Sequence, residues 1–396
     1  MRVLVDIRHL TRPQPSGVGE YTRELLEAIF RLEQRYDYTL LSTGRHAPSP
    51  VFSPLNVEGQ RYAHRPTPNT LQVPNIHHLH IPIPNKILHA SMVLRHDPTI
   101  TKLAGGRPDL LFLPNLNIAP IPPELPYVLT VHDLSWRLFP HFFSRRMRLW
   151  HRLTRPERLI THARAIITPS HATREDLLRL FPVPAEHVHV IAHGVADLFH
   201  PTFETRDHGV RSRYKLPKRF VVFLGTIEPR KNLLTTLAAI ASYRAQSRDN
   251  MHLVVVGGNG WNTRPIRKRF AEPDVRVWTH LIGAVPAEDR PAILRSAQAL
   301  VWPSLYEGFG LPILEAMACG TPVITSLVAS LPEVGGDAAL YIDPTNPHDV
   351  TMALHSLVQS PTLRALLREK GFAQAKNFSW NTSAKKTIEV FEKALH

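Results

Sequence analysis

Short apolar runs alternate with amphipathic stretches along most of this chain. Residues 2–7 (RVLVDI) predict a first strand, with charges inside the apolar run that do not suit a signal peptide. Residues 20–32 (EYTRELLEAIFRL) carry apolar positions at helical spacing. Further strands are predicted at residues 109–114, 127–133, 165–170 and 187–192. The tetrad Thr154, Arg155, Pro156, Glu157 reads as a capping box with Pro in the first turn, so a helix should start there. A second series follows. Residues 220–226, 251–258, 297–304, 322–326 and 338–342 read as strands, residues 233–246 and 380–395 as helices. This rhythm implies parallel sheets covered by helices.

Two stretches break the rhythm. Residues 60–107 are rich in Pro and His and show no clear period, which predicts irregular connections around a helix. The run His77 to His80 has no Cys or carboxylate at ligand spacing, so these read as loop or packing histidines. Around residues 199–217 the pattern loosens as an interdomain linker would. The expected organisation is a first domain at 1–200, a linker at 201–216, a second domain at 217–378 and a closing helix at 379–396. Two open α/β sheets place ligand crevices at the C-terminal ends of their strands.

Composition narrows the function classes. A chain of 396 residues with 43% hydrophobic content is long enough for two cores. The single cysteine, Cys319, excludes an intrachain disulfide framework and fits a reducing cytoplasm. The net charge of +14 calls for an anionic partner or serves solubility. No RNP-like, zinc-finger or helix-turn-helix pattern supports nucleic acid, and no glycine-rich dinucleotide fingerprint follows a strand. Residues 144–165 hold seven arginines against Glu157 alone, interleaved with apolar residues. That pattern fits either an anionic membrane surface or an ordinary surface helix.

The chemistry concentrates at EGFGLPILE, residues 307–315. Glu307 and Glu315 bracket a glycine turn that opens a helix, with Pro312 in its first turn and Gly320 past its end. The N–H groups around Phe309, Gly310 and Leu311 and the positive end of the helix suit an anion such as a diphosphate. The two carboxylates suit neutral, hydroxyl-bearing groups on either side. A nucleotide sugar has that layout. Arg230 and Lys231 follow a strand and can neutralise a departing diphosphate, although such a pair taken alone is ordinary surface. No D-x-D triplet is present to hold a divalent metal.

These residues resemble the E-x7-E signature of the retaining glycosyltransferases of family 4. The likeness extends over most of the chain, through TVHDLSW, GTIEPRKN and PSLYEGFGLPILEAMACG. It implies the GT-B fold: two Rossmann-like domains facing across a cleft, with the last helix crossing back to the first. It implies that Glu307 contacts the donor sugar, Glu315 the ribose, and Phe309, Gly310 and Leu311 the diphosphate. Arg230 and Lys231 bind the diphosphate, and Gly225 belongs to the same donor site. His132, of the HD motif, lies close to the transferred sugar. Asp133 orients loops or the acceptor. Gly17 and Val18, in a glycine loop, approach the donor phosphates. By resemblance Glu307, Arg230, Lys231 and His132 carry catalysis without a metal cofactor. The motifs look most like mannosyltransferase-type members of bacterial surface polysaccharide or O-antigen synthesis. That implies GDP-mannose or a related GDP-sugar as donor, a lipid-linked glycan as acceptor, and a cytoplasmic enzyme peripheral on the membrane. A UDP-hexose donor, an inactive GT-B-shaped binding protein and a nucleic-acid binder are the competing readings.

Overall fold

The computed structural model describes residues 1–11, 17–45, 75–247 and 249–396. They form two compact units. One comprises Met1–His132, Leu149–Gly194 and Trp380–His396, the other Asp133–Arg148 and Val195–Ser379. Residues 133–148, read from sequence as part of the first domain, thus group with the second unit.

The first unit holds β1 (Arg2–Asp6), β2 (Asp37–Thr43), β3 (Ile76–Ile81), β4 (Leu110–Leu113), β5 (Tyr127–Thr130), β6 (Ala165–Thr168) and β7 (Val188–Val190). They make one parallel sheet in the order β3-β2-β1-β4-β5-β6-β7. β4, β5 and β6 are buried at every position. Strands covered on both faces read as unbroken apolar runs, which is why the sequence located them. The helix Gly17–Leu32 packs along the helix Trp380–Leu395 within this unit.

The second unit repeats the plan with β8 (Phe220–Leu224), β9 (His252–Val256), β10 (Thr279–Gly283), β11 (Leu300–Trp302), β12 (Val323–Ser326) and β13 (Ala339–Ile342). The order is β10-β9-β8-β11-β12-β13, again all parallel. In each sheet the strand order reverses next to the unit's first strand: between β1 and β4, and between β8 and β11. Ligands of open α/β sheets bind at such switch points.

Several expectations need correction. Of residues 60–107, those up to 74 lie outside the described residues. The remainder contains β3, the helix Asn85–Arg95 and a short helix Ile100–Leu103. The histidines 77–80 sit in β3, an edge strand on β2, and not in a loop. Edge strands are half-covered, so β3 and β10 tolerate polar residues that hide the strand pattern. The stretch 201–216, read as a linker, groups with the second unit. It contains the helix Thr205–Arg213, and Asp207 at its start is paired with Arg295 at 2.6 Å in the second unit's interior. Thr154 does not cap the helix Pro156–Thr161. Arg155 is the capping residue, and Thr154 Oγ1 instead donates to His151 O at 2.7 Å, closing the preceding turn.

Candidate functional site

The switch point of the second sheet gathers the residues singled out at its two strand ends. β8 leads through Gly225 to Glu228 and a short 3-10 turn, Pro229–Lys231. Gly225 stands at φ 146, and a Cβ there would meet Trp302 Cη2 at 2.7 Å. Asn232 adopts the left-handed conformation that Asn tolerates, and its Nδ2 donates to Pro344 O at 2.6 Å, which fixes the turn. β11 leads through Ser304 to Glu307 and the helix Leu311–Ala318.

The two loops meet through ions. Arg230 Nη1 donates to Glu307 Oε2 at 2.6 Å and to Tyr306 O at 2.8 Å, and its Nη2 donates to Glu228 Oε1 at 2.7 Å. Lys231 Nζ donates to Glu307 Oε1 at 2.5 Å and lies 4.3 Å from the centre of the Trp302 ring. Ser304 Oγ adds a 2.7 Å bond to Glu307 Oε1. Glu307 and Glu228 are buried, and both cations are only 12% exposed. Burial alone would raise the Glu307 carboxyl, but Arg230 and Lys231 outweigh it and hold the group down at about 2. Burial pushes Glu228 up despite Arg230. Burial lowers Lys231, with Arg230 adding to the effect against Glu307. The direction that governs the cluster is an ionised Glu307, because two cations face its two oxygens.

The glycine turn after Glu307 is pinned from behind. Ser330 Oγ donates to Glu307 O at 2.9 Å and to Phe309 O at 2.8 Å. Gly310 caps the helix at φ 121, where a Cβ would press on Leu331 and Ile313. Leu311 and Pro312 form the first turn, and Gly320 follows the last residues of the helix. The first N–H groups of any helix have no partner inside it. Glu315, in the second turn, is buried and accepts from Arg290 Nη1 at 3.1 Å. The structure therefore joins Arg230, Lys231 and Glu307, and gives Glu315 a separate cationic partner. Cys319 is buried, and burial pushes its thiol up to about 12.

In the first unit, His132 follows β5. Its Nε2 lies 2.8 Å from Pro114 O, and since a carbonyl only accepts, Nε2 carries the proton. Tyr21 meets the His132 ring edge-on at 4.6 Å and also packs on His193, which stacks on Trp380. Burial, then His132, hold the His193 imidazole well below its ordinary value. Gly17 and Val18 occupy the first turn of the helix Gly17–Leu32 and not a loop. Asp133, the first residue of the second unit, accepts at Oδ1 from Ser135 N at 2.9 Å and orders the following short helix.

Sequence reasoning missed Glu228, Arg290, Ser304 and Ser330. Ser304 sits three residues before Glu307, a local signal that was available. Arg290 and Ser330 reach the site from distant segments and carry no local signal. Among the described residues, no group of three or more His, Cys, Asp or Glu is placed to hold a metal ion.

Two α/β units with parallel sheets, the second carrying paired cations and buried carboxylates at its switch point, define an α/β protein with a charged crevice at its strand ends. Residues 15–197 match the model of Glycosyltransferase Family 4 and residues 208–374 that of Glycosyl transferases group 1. The chain is 33% identical over 267 residues to the O-antigen chain mannosyltransferase B of Escherichia coli, covering 67% of this chain and 70% of that protein. It is 34% identical over 236 residues to an MMP alpha-(1->4)-mannosyltransferase of Mycolicibacterium hassiacum, covering 58% of this chain and 54% of that one. Among solved structures, the sucrose-phosphate synthase of Thermosynechococcus elongatus superposes with a TM-score of 0.72 at 20% identity, over 99% of this chain and 98% of that one, which speaks for the fold. The chain belongs to the family 4 glycosyltransferases and has the GT-B fold. It is a glycosyltransferase enzyme of the hexosyl-transferring kind.

Proposed function

We propose that the enzyme transfers mannose from GDP-mannose to a hydroxyl of a growing lipid-linked surface glycan, with retention at the anomeric carbon. The observation that carries this reading is the cluster of Arg230, Lys231 and Glu307 at the β8/β11 switch point. Arg230, Lys231 and the start of the helix Leu311–Ala318 stabilise charge that develops on the leaving diphosphate. Interactions that strengthen as the bond breaks accelerate it. Glu307 holds the donor sugar and Glu315 the ribose. Gly225, Phe309, Gly310 and Leu311 bring backbone to the diphosphate, and Gly17 and Val18 contribute further donor contacts. His132, in the first unit, supports the transferred sugar. Its protonated Nε2 is turned to Pro114 O, which fixes the ring. No side chain is assigned as a nucleophile, so departure and attack occur on one face, with the donor phosphate accepting the acceptor's proton. The two cations supply the positive charge that a divalent metal supplies elsewhere, so turnover should survive chelation.

The mannose assignment rests on the O-antigen chain mannosyltransferase B and on the mannosyltransferase of Mycolicibacterium hassiacum. The membrane side rests on charge. The helix Arg145–Leu153 has no buried residue, Leu149 is 56% exposed, and Arg145, Arg146 and Arg148 are exposed beside it. Such a surface suits anionic lipid, where a lipid-linked acceptor also resides. No helix among the described residues is long and apolar enough to cross a membrane. A donor panel tests the reading. Release of nucleotide from GDP-mannose, UDP-glucose and UDP-galactose is measured with and without EDTA, and the product anomer is read by NMR. The expected result is acceptor-dependent, EDTA-resistant release of GDP from GDP-mannose, with an α product. Preference for a UDP-sugar, or loss of turnover on chelation, would overturn that part of the reading.

A further inference from the structure

Arg290 is out of place by local rules. It is the first residue of the helix Arg290–Ser296, where the positive end of the helix disfavours a cation. Its side chain is only 13% exposed. Glu315 is equally misplaced, a buried carboxylate in a helix whose next three residues, Ala316, Met317 and Ala318, are all buried and apolar. Each charge alone would be costly there. They meet at 3.1 Å, Arg290 Nη1 to Glu315 Oε1. Two further contacts keep the pair in register. The Arg290 guanidinium lies 5.4 Å from the centre of the Phe199 ring. Thr321 Oγ1, just past the helix of Glu315, donates to Leu294 O of the helix of Arg290 at 2.7 Å. When local preference is broken on two elements at once and the breaks complement each other, the pair serves something beyond the two elements.

We infer that Arg290 is a positioning residue that holds Glu315 as an oriented carboxylate for the ribose hydroxyls, and so sets selectivity for ribonucleotide over 2′-deoxyribonucleotide donors. The inference rests on the ribose role proposed for Glu315. An ionised carboxylate has acceptor capacity for about four hydrogen bonds, enough to serve both a guanidinium and a vicinal diol. Without the guanidinium, the carboxylate loses the contact that sets its orientation. A ribose would then lose an oriented acceptor at both hydroxyls, a 2′-deoxyribose only at its 3′-hydroxyl.

Binding of GDP and 2′-deoxy-GDP, with UDP and 2′-deoxy-UDP in parallel, tests this on the full chain by titration calorimetry. The wild type should prefer the ribonucleotide by about tenfold, the scale of one hydrogen bond to a charged group. Arg290→Leu should bring that ratio close to one, chiefly by weakening the ribonucleotide, and Arg290→Lys should restore part of it. Circular dichroism and thermal melts show whether each variant is folded. If Arg290→Leu does not fold, Arg290→Lys and Arg290→Gln carry the same comparison. An unchanged ratio in the folded Arg290 variants, with the ratio lost in Glu315→Gln, would overturn the inference and leave the ribose role standing. Equal weakening of both nucleotides would reduce Arg290 to a structural residue. An unchanged ratio in Glu315→Gln would remove the ribose role itself.

Discussion

Lys231 Nζ lies 2.5 Å from Glu307 Oε1, and Arg230 Nη1 lies 2.6 Å from Glu307 Oε2. One carboxylate thus ties the loop after β8 to the loop after β11. It holds two cations in place that would otherwise repel each other in a buried site. Removing it leaves Lys231 without its carboxylate and Arg230 with Glu228 alone. Glu307→Gln should destabilise the second unit by about 3–5 kcal/mol, the usual cost of breaking a buried pair. Because Glu307 and Lys231 share one interaction, Glu307→Gln combined with Lys231→Met should cost less than the two changes summed. Urea denaturation of the four proteins measures this. Strict additivity would mean that the two residues are not energetically linked.

The pH dependence follows from the same carboxylate. Burial raises the Glu307 carboxyl, but the two cations outweigh it and bring the group from an ordinary 4.5 down to about 2. A group whose pKa is depressed on folding stabilises the fold above its unfolded value. That contribution is lost as pH falls through its folded value. The stability difference between wild type and Glu307→Gln should therefore be constant above about pH 5 and shrink between pH 4.5 and 2. Unfolding free energies at pH 3, 4, 5 and 7 would show it. A difference that grows on acidification would contradict an ionised, cation-held Glu307.

Ser330 Oγ supports the glycine turn at two carbonyls, Glu307 O and Phe309 O. Ser330→Ala removes the shared donor while keeping the fold's volume. The expected cost is about 1–2 kcal/mol of stability, with a larger effect on the donor's KM than on kcat. Steady-state kinetics alongside a thermal melt measure both, and an unchanged KM would separate this serine from donor binding.

The close approach of Gly225 to Trp302 predicts an epistatic pair. A Cβ at Gly225 would lie 2.7 Å from Trp302 Cη2, and Trp302 is fully buried. Gly225→Ala should lower the melting temperature. Gly225→Ala with Trp302→Phe should recover part of that loss, because the shorter ring vacates the contact. If the double variant melts below both single variants, the contact with Trp302 is not what excludes a side chain at Gly225.

The arginines of the helix Arg145–Leu153 are exposed and carry the proposed membrane contact. Flotation with vesicles containing phosphatidylglycerol should capture the protein at low salt and release it as salt rises. Charge reversal at Arg145, Arg146 and Arg148 together should reduce capture several-fold. Equal capture of the reversed variant would remove this helix from membrane binding.

Legibility in the sequence followed burial and distance along the chain. β4, β5, β6 and β8 are buried on both faces and stood out as apolar runs. β3 and β10 lie at sheet edges with half-exposed faces, so histidines and other polar residues masked them. The helix 205–213 was hidden in an arginine-rich stretch because its anchor, the Asp207–Arg295 pair, spans 88 positions. At the site, Glu307, Glu315, Arg230 and Lys231 were legible because a glycine turn and a strand end flagged them. Glu228 was not, since nothing local marks a carboxylate that closes on Arg230 only after the turn forms. Arg290 was not, since it looked like one more surface arginine in a basic chain.

The most direct measurement is donor turnover in two variants of the switch-point cluster. GDP release from GDP-mannose is followed for wild type, Lys231→Ala and Glu307→Ala, each checked as folded by circular dichroism. On the proposed roles of these two groups, each variant should lose at least about a hundredfold in kcat/KM, the scale seen when one electrostatic stabiliser is removed. Turnover undiminished in both folded variants would contradict the placement of the donor site at the β8/β11 switch point.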